Sequence, residues 1–160
     1  MCSSDLMSPG ARDQRGLVGV RGRGRPVAAL NDHASAEHAL AGGVAGLGDA
    51  RRFIARTLAE WAEAPTRIEA VSIVATEFLT NALVHAGSEP VLVLERSGDV
   101  VTVRVADRCT APPEVRAHRT DDGHGLGLRM VDSLADAWGW EHADDGKTVW
   151  ARFGSVETPP

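Results

Sequence analysis

The sequence predicts an α+β fold of two layers, a mostly antiparallel sheet with its helices gathered on one face. Three observations predict it. Apolar residues recur every three or four positions through two successive stretches before residue 87, as amphipathic helices require. Two later pairs of stretches alternate apolar and polar about short turns, as hairpins do. A third helical pattern lies between the pairs, so helices and strands are not interleaved one for one.

The elements follow in order. Residues 1–26 are rich in Gly, Arg and Ser and read as a disordered N-terminal extension. Residues 27–48 mix small apolar residues with Gly42, Gly43, Gly46 and Gly48, and a short strand is expected somewhere within them. A first helix is expected from Asp49 to Ala62, with Phe53, Ile54, Leu58 and Trp61 on its inner face. Pro65 and Thr66 open the second helix, Pro because it stops the link and Thr as a cap. That helix runs to His85, where Gly87, Ser88 and Pro90 break it. Val91 to Leu94 forms a strand, Ser97-Gly98-Asp99 a turn, and Val100 to Ala106 its partner. Residues 107–122 are polar and make a long loop, a length usually kept for function. A third helix is expected from Gly125 to Ala137. A strand then begins at Trp138, Asp144-Asp145-Gly146 turns, and Lys147 to Phe153 closes a second hairpin. The domain is thus residues 27–154, with 155–160 a tail and no internal repeat.

Composition narrows the function classes. At 160 residues, 43% hydrophobic and 24% charged, the chain resembles an ordinary globular domain. No apolar run approaches the roughly 20 residues of a membrane helix, and Asp5 interrupts any leader-like stretch. A cytoplasmic protein without membrane contact is expected. A net charge of -5 argues against nucleic acid as main partner, although the arm carries five arginines from Arg12 to Arg25. Two cysteines, Cys2 and Cys109, are too few for a disulfide framework or a thiolate zinc site.

Three constellations carry chemistry. Glu77, Asn81 and His85 recur every four residues among Val74, Phe78, Leu79, Ala82 and Leu83. On a helix they form one ridge about 12 Å long. Burying an acid, an amide and an imidazole unpaired is costly. A carboxylate serves as a general base, and an amide oxygen suits magnesium. The second constellation is Gly123-His124-Gly125-Leu126-Gly127-Leu128 at a helix start, where glycines admit close approach and free N–H groups favour phosphate. Its spacing is neither the dinucleotide fingerprint nor a P-loop. The third is Asp107, a carboxylate at a strand end that can accept from an exocyclic amine.

These segments carry a family resemblance. Glu77-Phe78-Leu79-Thr80-Asn81-Ala82-Leu83-Val84-His85-Ala86 resembles the N box of the GHKL ATPase superfamily, which includes gyrase and the histidine kinases. Val105-Ala106-Asp107 with Pro112-Pro113 resembles its second box, and Gly123 to Val131 its glycine box. Gly146-Lys147-Thr148-Val149-Trp150 resembles the closing strand of the compact anti-sigma-factor serine/threonine kinases of actinobacterial type. The resemblance spans about residues 46–153, with four motifs in the right order.

It implies a Bergerat-type sandwich that binds ATP and Mg2+ and phosphorylates a Ser or Thr of a small antagonist protein. It also implies a sigma factor as the second partner, and relatives that often dimerise. By position it makes Glu77 the catalytic base and Asn81 the metal ligand, and places His85 near the phosphates. Asp107 would read the adenine amine, with Thr148 supporting it through water. Gly123, His124, Gly125, Leu126, Gly127 and Leu128 would line the nucleotide, the three residues 125–127 through backbone N–H groups, under a lid from Arg108 to Asp122. The run Asp107-Arg108-Cys109-Thr110-Ala111 departs from the superfamily by lacking both second-box glycines. That departure supports the alternative, a non-catalytic ATP-binding module that sequesters a regulatory protein.

Overall fold

The computed structural model describes residues 33–111 and 127–154. The elements are β1 (His33–Ala39), a 3-10 turn (Gly43–Gly46), α1 (Leu47–Glu60), α2 (Pro65–Ala86), β2 (Val91–Ser97) and β3 (Val100–Asp107). After them come α3 (Gly127–Leu134), β4 (Ala137–Ala143) and β5 (Gly146–Phe153). The five strands form one antiparallel sheet in the order β1-β2-β3-β5-β4. The α+β architecture is the one the sequence predicts.

Strand alternation sorts the two faces. Val101, Val103, Val105, Val149, Ala151 and Phe153 are buried and meet the helices. Thr102, Arg104, Ala106, Thr148, Trp150 and Arg152 take the opposite parity and face away. On that outer face Arg104 bridges β2 and β4, donating to Glu95 at 2.9 Å and to Glu141 at 3.0 Å. The inner face of α2 supplies Val71, Val74, Ala75, Phe78, Leu79 and Ala82, the 3,4 spacing that a helix turns into one stripe. Ile54 and Leu58 of α1 and Val131 of α3 close the core. Each such aliphatic side chain contributes about 1.5–3 kcal/mol by leaving water.

Several boundaries shift, each for a local reason. β1 lies within residues 27–48, where a short strand is expected. Its His-Ala-Ser-Ala-Glu-His-Ala sequence puts Ala34, Ala36 and His38 on the half-buried parity, where the His38 ring stacks on Phe53 at 5.0 Å, so this edge strand shows little hydrophobic contrast. The first helix starts at Leu47, not Asp49. Thr66 does not cap α2. Pro65 takes the first helical position, Ala64 is the extended N-cap without a side-chain bond, and Arg67 and Ile68 donate to its carbonyl. α3 ends at Leu134 rather than Ala137. By Asp136 the chain has joined the sheet, its N–H donating to Arg152 O at 2.9 Å and its carboxylate accepting from Gly154 N at 2.6 Å.

Candidate functional site

The polar ridge forms as expected on α2. Glu77 and Asn81 are half-buried and His85, a turn later, is exposed. Two polar side chains of α2 are satisfied by their own helix: Ser72 Oγ donates to Ile68 O and Thr76 Oγ1 to Ser72 O, each at 2.7 Å. Glu77 and Asn81 have no such partner among the described residues. A half-buried carboxylate and amide left open one turn apart are available to a ligand. Helix α3 packs directly against α2. Gly127 is its first residue, and Leu128 turns its side chain into the core at 7% exposure. Leu128 therefore reaches a ligand only through its backbone N–H in the first turn. Gly123, His124, Gly125 and Leu126 lie outside the described residues, as does the lid segment from residue 112 onward.

The end of β3 is built around a buried ion pair. Asp107 and Lys147 are directly opposed in the β3–β5 register. Lys147 Nζ lies 3.0 Å from Asp107 Oδ1, with side chains 6% and 2% exposed. The same ammonium donates to Cys109 O at 3.3 Å, and Cys109 N–H donates to Asp107 Oδ1 at 2.7 Å. Gly146 is required here, because a Cβ would overlap the carbonyl oxygen of Asp107. Arg108 N donates to Ser88 Oγ at 3.4 Å, which ties this corner to the chain just after α2. Cys109 is buried at 2% exposure.

This corner corrects one placement. Thr148 pairs with Ala106, one residue out of step with Asp107, and so lies on the outer face of the sheet. Lys147 stands where Thr148 was expected. Its parity was visible: Lys147 shares its side of β5 with Val149, Ala151 and Phe153, and a lysine on an apolar face needs a counter-ion.

Among the described residues no group of three His, Cys, Asp or Glu side chains gathers to hold a metal. Glu77 and Asn81 instead offer hard oxygen donors, enough for a cation that keeps most of its shell as water and phosphate. No described helix is long and apolar enough to cross a membrane.

Residues 41–153 match the family described as the histidine kinase-like ATPase domain. The chain belongs to that family. Among solved structures, the histidine kinase-like ATPase domain described here is similar to the crystal structure of the RsbU and RsbW domains of a protein from Mycobacterium tuberculosis. The TM-score is 0.58 at 19% identity, over 74% of this chain and 32% of that one. The likeness is one of fold, and the chain spans about a third of the length of that solved chain. No curated protein matches the sequence. Within this ATPase domain, α2 with its ridge, β3 with Asp107 and β5 with Lys147 all fall inside the matched residues.

Proposed function

We propose that this domain binds Mg-ATP and transfers its γ-phosphoryl group to a Ser or Thr hydroxyl of a small antagonist protein. In the same reading it is an intracellular regulator that holds a sigma factor until the antagonist competes for it. The observation that carries the reading is the open pair on α2: Glu77 and Asn81, half-buried and without partners among the described residues. Phosphoryl transfer asks mainly for positioning and charge neutralisation. Asn81 would supply an oxygen to magnesium, and the free N–H groups at the α3 start would face phosphate. Glu77 would accept the hydroxyl proton as its oxygen bonds to phosphorus and ADP departs.

A second reading keeps nucleotide binding and drops the transfer. It is favoured by the run Asp107–Ala111, whose larger side chains replace the two glycines of the superfamily pattern. The test is incubation of the full chain with labelled Mg-ATP and candidate antagonists, wild type beside Glu77→Ala. Label on the antagonist with wild type alone supports the kinase. Bound nucleotide with no label transferred sinks it, and no nucleotide binding sinks both readings.

A further inference from the structure

The Lys147–Asp107 pair lies at the carboxylate assigned to the nucleotide base, and its contacts are lopsided. Among the described residues both polar contacts to that carboxylate fall on Oδ1: Lys147 Nζ at 3.0 Å and Cys109 N–H at 2.7 Å. A carboxylate held by one oxygen has a fixed plane, so the lone pairs of its other oxygen point in a fixed direction. The ammonium also cancels a buried negative charge that would otherwise repel a polyanionic ligand. Lys147 is itself fixed, by its second bond to Cys109 O at 3.3 Å and by the register that sets it opposite Asp107.

From this geometry we infer that Lys147 is the positioning residue for base recognition: it pins Asp107 through Oδ1 and presents Oδ2 as a single oriented acceptor for the exocyclic amine of a purine base. The inference rests on the nucleotide-binding reading above. It assigns to Lys147 the supporting role that strand alternation denies to Thr148. An acceptor in one place discriminates by what it meets there. An amino group at the six position donates to Oδ2, whereas a six-oxo group presents a second acceptor and leaves both unpaired.

The experiment is calorimetric titration of the full chain with ATP and with GTP, both with Mg2+, alongside thermal melts. It compares wild type, Lys147→Met, Lys147→Gln, Lys147→Arg and Thr148→Val. Wild type is expected to prefer ATP. Lys147→Met is expected to lose about 10-fold or more in ATP affinity, the equivalent of one charge-assisted hydrogen bond, with the ATP-to-GTP ratio collapsing toward one. Lys147→Arg should restore much of the ratio, and Thr148→Val should leave it unchanged. A change in stability alone would weaken both nucleotides together and leave the ratio intact. Should Lys147→Met fail to fold, Lys147→Gln carries the same expectation, because its neutral side chain is one atom shorter and removes the charge-assisted bond to Oδ1. A folded Lys147→Met or Lys147→Gln variant with the wild-type ratio, or a Thr148→Val variant that loses it, overturns the inference and spares the nucleotide-binding reading. A wild type that binds neither nucleotide overturns both.

Discussion

Lys147 and Asp107 form an ion pair of 3.0 Å with side chains almost wholly out of water, across the last rung of the β3–β5 ladder. Such a pair is costly to assemble and more costly to break, because removing one partner strands the other charge in a low-dielectric interior. Lys147→Ala and Asp107→Ala are each expected to lower unfolding free energy by about 3–5 kcal/mol. The double variant Lys147→Met with Asp107→Leu removes both charges and keeps apolar volume, and should recover most of that loss. Urea denaturation of all three measures it. Single variants within about 1 kcal/mol of wild type would contradict the burial of the pair.

Gly146, one residue earlier, meets a different constraint. The backbone of Asp107 and Arg108 passes so close that no Cβ fits. Gly146→Ala is expected to open the β3–β5 end and cost about 1–3 kcal/mol or more. Gly48, in the first turn of α1, is the matched contrast: its added Cβ would find only Arg52 Nη1, at 3.7 Å. Gly48→Ala should be neutral or stabilise by about 0.5–1 kcal/mol, since alanine favours helix. Chemical denaturation that ranks the two alike would refute the close approach at Gly146.

What was legible in the sequence follows from burial. α1, α2, β2, β3 and β5 bury strong apolar faces, and their periodicity survives to the level of single residues such as Val101, Val103 and Val105. β1 was obscure because an edge strand carrying alanines and histidines has little hydrophobic contrast. The extent of α3 was overread because the apolar pattern runs on through Ala135 and Ala137 into β4, and the stop at Leu134 is set by tertiary hydrogen bonds from Asp136. The ridge was legible as a helix face. The partner of Asp107 was not, because motif resemblance pointed to Thr148 while strand parity pointed to Lys147, and parity is the physical constraint.

The outer-face bridge from Arg104 to Glu95 and Glu141 looks extensive, yet its groups are between one third and three fifths exposed, at 34%, 45% and 58%. Solvent screens pairs of this kind, and their median worth is about 0–1 kcal/mol. Arg104→Ala is expected to cost no more than about 1 kcal/mol, with the difference from wild type shrinking at 1 M salt. A loss of several kcal/mol that persists in high salt would show instead that the arginine stem packs the middle of the sheet.

The two ridge residues should separate in their effects, and the separation tests the functional reading of α2. Asn81 is assigned to binding, Glu77 to the chemical step. Asn81→Ala is expected to reduce Mg-ATP affinity by about 10-fold, the equivalent of one lost polar contact to a charged ligand. Glu77→Ala should bind Mg-ATP about as well as wild type and lose phosphoryl transfer by about 10²–10⁴-fold, the usual contribution of a positioned general base. Both side chains are half-buried without hydrogen-bond or ion-pair partners among the described residues, so neither substitution breaks an internal polar bond there, and both variants should melt near wild type. Calorimetry for binding, label transfer for chemistry and a thermal scan for stability distinguish the three quantities. Equal effects of the two substitutions on affinity and transfer would show that the ridge acts as one binding surface, with no division between metal ligand and base.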